Sequence, residues 1–257
     1  MRNPRVRACD LFCGAGGSST GLLRACQRLG LEVQLVAVNH WKEAIDTHEL
    51  NHPGVYHLHE DLAAIDPRRA LADAGLGTTL DLLWASPECT SFSYSRGGRP
   101  ISEQSRASAW HPLKWCDQLN VKMFVIENVP AFRSWGPTDR NHRPIKARRG
   151  ETYRQYLDLF RAMGYTVEAR VLNAADYGAA QTRKRLFIIG VKGARPIRWP
   201  QPSHAPVGSI APGLQPWRGA KEIIDWSVRG TSIFNRKKPH ARKTLERILI
   251  GGEKYWP

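Results

Sequence analysis

The chain has 257 residues, 42% of them hydrophobic and 24% charged, which is enough for one large domain with a buried core and too apolar for global disorder. Lys and Arg number 38 against 23 Asp and Glu, a net charge of +15, so a polyanion is the expected partner, nucleic acid before an anionic membrane. No apolar run approaches the roughly 18–20 residues that a bilayer span requires, and Met1-Arg2-Asn3-Pro4-Arg5 leads into a strand without an apolar signal core. In chain order, Ala8–Phe12 is a short apolar run ending at a glycine-rich turn, and Ser18–Leu29 follows as a helix with Leu22, Cys26 and Leu29 on one face. Val33–Val38 is a second strand. Trp41–Asn51 is helical and stops before Pro53. Val55–His59, Leu80–Ala85 and Met123–Ile126 are three further buried strands. Ser105–Leu119 is helical, with an interruption expected at Pro112. Ser134–Gly150 is irregular and basic, and is expected to be a mobile surface loop. Glu151–Met163 is an amphipathic helix stopped by Gly164. Tyr165–Leu172 and Arg185–Val191 are strands, read as an antiparallel pair at a sheet edge.

Strands alternating with helices predict an α/β fold with a mostly parallel sheet. After Gly193 the composition shifts: residues 194–217 are rich in Pro, Gly and Ala and read as a linker or an extended wrap, and 218–250 are helix-like and basic. The expected division is therefore 1–193 and 194–257. Five cysteines without a regular framework fit a reducing compartment.

Four segments carry chemistry. Asp10-Leu11-Phe12-Cys13-Gly14-Ala15-Gly16-Gly17 joins the first strand to the first helix, where glycines let a ligand approach main-chain amides; it departs from the GxGxxG of dinucleotide sites. Ser86-Pro87-Glu88-Cys89-Thr90-Ser91-Phe92-Ser93 lies beyond the end of the fourth strand, at the edge where open α/β sheets place their chemistry. A cysteine there is either a nucleophile or one more small buried hydrophobe. Gly97-Gly98 suggests a hinged loop, from which Ser93, Ser95, Arg96 and Arg99 would meet phosphates. Glu127-Asn128-Val129-Pro130 ends the fifth strand at the same edge, where a carboxyl near a buried strand end is a candidate acid or an ordinary structural acceptor. Gln181-Thr182-Arg183-Lys184-Arg185 precedes the last strand, and on an extended chain Gln181, Arg183 and Arg185 face one way. His48, His52, His57 and His59 have no zinc-like spacing and are read as loop or solvated histidines, so no metal is expected.

Together and in order, these segments resemble the cytosine-5 DNA methyltransferases, with their DLFxGxGG, PPC, ENV and QxRxR motifs, over about residues 8–191. The resemblance implies a Rossmann-like S-adenosylmethionine-dependent fold and methylation of carbon 5 of cytosine in double-stranded DNA, by a bacterial or phage-type enzyme acting in the cytoplasm. It implies that Asp10, Phe12, Gly14, Gly16 and Gly17 line the cofactor pocket with Asn39, His40, Trp41, Asp61 and Pro87. Cys89 would be the nucleophile, Glu127 would hold or protonate cytosine ring nitrogen 3, Arg183 would contact the base oxygen and Arg185 would brace the site. Gln181 would face the DNA, as would Arg236, Lys237 and Lys238 in the basic tail.

Three departures stand out. Glu88 occupies the place of the second proline, and is expected either to pair with Arg96, Arg99 or Arg183 or to accept from the amino group of the flipped cytosine. Asn39 replaces the acid expected for the cofactor ribose. The chain shows no copy of the family's two final motifs, so 194–257 is read as a linker and the start of an incomplete target-recognition region, completed by a missing segment or a second chain. RNA, tRNA in particular, is the alternative substrate, and a fragment that binds DNA or a partner without turnover is the alternative from another class.

Overall fold

The structure is a computed structural model and describes residues 4–88, 107–209, 211–228, 232–234 and 236–255. Its elements run β1 (Arg5–Leu11), α1 (Gly17–Arg28), β2 (Glu32–Asn39), α2 (Lys42–Asn51), β3 (Tyr56–His59), α3 (Pro67–Asp73), β4 (Thr79–Leu80), β5 (Leu82–Ala85), α4 (His111–Gln118), β6 (Asn120–Val121), β7 (Met123–Asn128), α5 (Glu151–Ala162), β8 (Tyr165–Asn173), β9 (Lys184–Lys192), β10 (His204–Ala205), β11 (Gln215–Pro216) and α6 (Arg242–Tyr255). Two compact units are present, Met1–Trp217 and Arg218–Pro257.

The first unit is built on a seven-stranded sheet of order β3-β2-β1-β5-β7-β9-β8. Strands β3, β2, β1, β5 and β7 pair in parallel, and β9 runs antiparallel to both β7 and β8. This is the expected Rossmann-like α/β sheet with its antiparallel pair at one edge. Alternation sorts the side chains. Leu11, Val38, Leu83, Ala85, Phe124, Ile126 and Ile188 enter the main core with Leu71 of α3, Trp115 of α4, and Tyr156 and Phe160 of α5. Phe124 stacks on Phe160 at 4.3 Å between centroids, and Tyr165 meets Phe124 at 5.2 Å. On the opposite face Ala37 packs with Ile45 of α2, and Val125 and Ile189 pack with Ile197 and Trp199.

Several expectations change. Leu80–Ala85 is two strands, because β4 leaves the main sheet to pair with β6. Asp81 holds the break: its carboxylate accepts from the Arg7 amide at 2.9 Å and from Lys122 Nζ at 2.7 Å. Helix α3 was not read from the sequence, although its signals are present: the Asp66 side chain caps the amides of Arg68 and Arg69, and Pro67 follows at once. Pro112 starts α4 instead of interrupting it, since the first-turn amides of a helix have no partner to lose. Residues 194–217 are a wrap that packs on the sheet, so the first unit continues past 193. Trp199 is buried, donates to Glu168 at 2.6 Å and lies under the Arg170 guanidinium at 4.8 Å.

In the second unit the helix is confined to Arg242–Tyr255, while 218–228 contains only a single 3-10 turn, Ala220–Glu222. A helix running through from residue 218 to 250 would be broken at Pro239, which has no amide hydrogen to donate.

The basic stretch after β7 is a hydrogen-bonded lobe. Asp139 N donates to Arg143 O at 2.8 Å and Ile145 N to Pro137 O at 3.1 Å. The Asp139 carboxylate accepts from the amides of Asn141 and Arg143, both at 2.9 Å. Gly136 lies against the Arg148 carbonyl so closely that a Cβ there would collide with it.

Candidate active site

The chain leaves β1 toward β2 on one side and crosses to β5 on the other, so the gap between β1 and β5 is a topological switch point. Register aligns the strand ends: Leu11 lies beside Val38 and Ala85, and Ala85 beside Ile126. The glycine turn, the Pro87 segment and Glu127 therefore leave the sheet at the same edge.

On the β1 side the backbone turns sharply. Phe12 has φ 60°, unusual for a residue with a side chain, followed by Gly14 at φ 53° and Gly16 at φ 95°. A Cβ at Gly14 or Gly17 would meet nothing within 4 Å, whereas one at Gly16 would lie 3.0 Å from His48 Cδ2 and from His52 Cδ2. One side of the turn is open and the other is backed by histidine rings. Asp10 is 1% exposed. Its Oδ2 accepts from Ser18 Oγ at 2.6 Å and Ser19 Oγ at 2.7 Å, and its Oδ1 has no hydrogen-bond partner. Burial pushes its pKa up to about 6, against the pull of the two serines.

Asn39 is buried and its Oδ1 accepts from Trp41 N at 3.0 Å, which leaves its amide NH2 and one Oδ1 lone pair for a ligand. His40 and Trp41 are exposed beside it. Asp61 is exposed, with one oxygen capping the Ala63 amide at 2.9 Å.

On the β7 side Glu127 is half-buried and its Oε1 pairs with Arg185 Nε at 2.9 Å. Burial raises the Glu127 pKa, while Arg185 and Arg183 oppose that rise. Arg183, Arg185, Phe187 and Ile189 all line one cavity of about 520 Å³, with Glu127, Trp84 and Val125 across from them. The expected alternation therefore holds for Arg183 and Arg185, while Gln181 is exposed and is not part of the lining.

Asn128, which sequence reasoning passed over, is 2% exposed and donates from Nδ2 to the Pro87 carbonyl at 3.2 Å. It joins the Glu127 segment to the segment that leads to Cys89. Its only sequence signal was its place inside the Glu-Asn-Val motif.

Cys89, Ser93, Ser95, Arg96 and Arg99 lie outside the described residues. The other four cysteines, Cys9, Cys13, Cys26 and Cys116, are all buried. Desolvation pushes the Cys13 and Cys116 thiols up to about 12 and raises those of Cys9 and Cys26. None of these four is an available thiolate. Glu88 is exposed. In the second unit Arg236, Lys237 and Lys238 are exposed, and Arg236 Nη1 lies 2.6 Å from His240 Nε2. Among the described residues no helix is long and apolar enough to cross a membrane, and no cluster of His, Cys, Asp or Glu could hold a metal ion.

Residues 6–211 match the family model for the C-5 cytosine-specific DNA methylases. The chain belongs to this family. It is 30% identical over 207 residues to the type II methyltransferase M1.HphI of Haemophilus parahaemolyticus, an alignment covering 80% of this methylase chain and 51% of M1.HphI. It is 28% identical over 222 residues to M.AquIA of Picosynechococcus, covering 84% of this chain and 86% of that one. Among solved structures, the Dnmt2 methyltransferase of S. pombe superposes with a TM-score of 0.53 at 18% identity over 76% of this chain and 52% of that one, a likeness of fold. The methylase chain spans about half the length of curated relatives such as M.AgeI, M1.HphI and M.BspRI.

Proposed function

We propose that this chain is the catalytic part of a DNA cytosine-5 methyltransferase that uses S-adenosylmethionine. The observation that carries the reading is the join between two motifs: Glu127 is held by Arg185, and its neighbour Asn128 is bonded to the Pro87 carbonyl, two residues before Cys89.

The residues of the glycine turn fit the cofactor. Asp10 offers a buried carboxylate oxygen with no partner, suited to a cationic amine, and the open side of Gly14 and Gly17 leaves main chain within reach of a ligand. Phe12, Gly16, Asn39, His40, Trp41, Asp61 and Pro87 are assigned to the same pocket. S-adenosylmethionine supplies an electrophilic methyl group there when bound.

The remaining chemistry belongs to the chain. The Cys89 thiolate adds to carbon 6 of a cytosine turned out of the duplex. Glu127, its pKa raised by burial, donates a proton to ring nitrogen 3, so the electron pair gathers at carbon 5, where the methyl group is accepted. Loss of the carbon-5 proton to a base expels the thiolate and restores the ring. Arg185 is a positioning residue for Glu127, and Arg183 is assigned to the base oxygen.

Duplex DNA would bind through Arg96, Arg99 and Gln181, through Arg236, Lys237 and Lys238, and through the lobe after β7. Arg140, Arg143, Lys146 and Arg149 are exposed on that lobe, whose Asp139 carboxylate is occupied by main-chain amides. A further segment or second chain would complete target recognition. The large exposed apolar side chains of the second unit, Ile223, Ile224, Trp226 and Phe234, favour such a partner.

The test is a denaturing gel of the protein with labelled S-adenosylmethionine and duplex DNA carrying 5-fluorocytosine, which blocks the elimination step. A labelled band that shifts with DNA and is absent in Cys89→Ser is expected, and Glu127→Gln should slow transfer by about 10²–10⁴-fold. A band that survives Cys89→Ser would remove the mechanism. Competition by tRNA but not by duplex DNA would move the substrate to RNA.

A further inference from the structure

The cluster behind the glycine turn contains groups that the methyl-transfer reading leaves without a role. His48 on α2 is 0% exposed. Its Nε2 lies 2.9 Å from Ser19 Oγ, and its Nδ1 lies 2.8 Å from His57 Nε2 on β3. Ser19 Oγ in turn lies 2.7 Å from Asp10 Oδ2. Four groups from β1, α1, α2 and β3 thus form one chain, buried except at half-buried His57, that ends at the proposed cofactor carboxylate.

The hydrogens of this chain follow from counting donors. Ser19 has one hydroxyl proton. If Asp10 is ionised, Ser19 must donate to it. Ser19 then accepts from His48 Nε2–H, and His48 Nδ1, a lone pair, accepts from His57 Nε2–H. If Asp10 is protonated on Oδ2, every donor reverses. Asp10 donates to Ser19, Ser19 donates to His48 Nε2, and His48 Nδ1–H donates to His57. Both arrangements satisfy every link, and they differ by one proton. A cationic His48 would also satisfy the links, donating to Ser19 and to His57, and is disfavoured by burial and its histidine neighbours, which push its pKa down to about 4.

We infer that His48 is a positioning residue for the cofactor site, acting through Ser19 on the Asp10 carboxylate, and that the chain His57–His48–Ser19–Asp10 switches direction as one unit and makes cofactor binding depend on pH. The inference rests on the cofactor reading of Asp10 given above. Other titratable groups facing the chain are Cys9 and Cys13 around the end of β1, His52 and Glu49 on α2, and His57 itself. Both cysteine thiols are raised by burial and stay neutral throughout. His52 takes no part in the relay, because its Nε2 meets Thr20 Oγ1 at 2.9 Å and the Thr20 hydroxyl donates to the Gly16 carbonyl at 2.8 Å. The Asp10 pKa near 6 puts the reversal near that pH, and His48, pushed down to about 4 by burial and its histidine neighbours, is still neutral there.

The sign is fixed by charge. Above about pH 6 Asp10 is ionised, and its unpartnered Oδ1 would accept from a cationic ligand. Below it the carboxyl is neutral, and affinity should fall about tenfold per pH unit, since one proton is taken up.

The test uses the full chain labelled with 15N at the histidine rings, followed by NMR from pH 4.5 to 8 with and without S-adenosylmethionine, together with calorimetric binding between pH 5 and 7. His48 is expected to pass from the Nε2–H to the Nδ1–H tautomer as pH falls through about 6, its ring staying neutral, and Ser19→Ala should uncouple that change from pH. A His48 ring that keeps one tautomer throughout, or becomes cationic near 6.5, overturns the relay, as does an affinity that is flat from pH 5 to 7. A tautomer switch in a protein that binds no S-adenosylmethionine at any pH would uphold the relay and overturn the cofactor reading instead.

Discussion

Replacing Arg185 with Met removes the partner of Glu127 and nothing else that is charged in the ion pair. The two side chains are 22% and 23% exposed and their atoms lie 2.9 Å apart. Breaking an exposed pair costs about 0–1 kcal/mol and breaking a fully buried one about 3–5. This half-buried geometry falls between, at about 2 kcal/mol. The direction follows from burial, which already raises the Glu127 pKa in the folded state. A carboxyl raised in this way contributes stability that is full while it is protonated and is lost as pH rises through its folded value. Arg185 limits that loss, so its removal should deepen it. Urea unfolding of wild type, Arg185→Met, Glu127→Gln and the double variant from pH 4 to 8 gives the coupling between the two residues. A coupling of about 1–2 kcal/mol at pH 8 that shrinks toward pH 4 is expected. A coupling that does not change with pH, or stays below about 0.5 kcal/mol, would show that the pair does not set the protonation of Glu127.

Two further outcomes are expected. A Cβ at Gly190 would run into the ring of Phe124, so Gly190→Ala should destabilise the first unit by about 1–3 kcal/mol or more, measured by thermal unfolding; an unchanged midpoint would mean that β9 can slide away from β7. Replacing Arg140, Arg143, Lys146 and Arg149 together with Gln should lower the salt slope of duplex binding by about 0.9 per lost phosphate contact, and an unchanged slope would place the lobe away from DNA.

Much of this molecule was legible in the sequence because its signals are local. The apolar runs at Ala8–Phe12, Val33–Val38 and Met123–Ile126 mark strands by themselves, and the four motif segments fall at strand ends in the right order. Wherever the reading moved, a partner distant in sequence made the decision. Asp81 splits a continuous apolar run because Arg7 comes to it from β1 and Lys122 from the link between β6 and β7. Residues 194–217 look like a linker until the sheet supplies an apolar face for Ile197 and Trp199. Asn128 reads as part of a motif, and only the pairing of β5 with β7 brings it to the Pro87 carbonyl.

The histidines show the division most clearly. Their reading as loop or solvated residues fails for His48. Helix α2 turns that ring inward over the glycine turn, while β3 brings His57 to its other nitrogen. Sequence alone determined which chemical groups are present and which strand ends carry them. Tertiary structure decided which of them share protons, because a hydrogen bond depends on angstrom distances between elements that the chain separates by tens of residues.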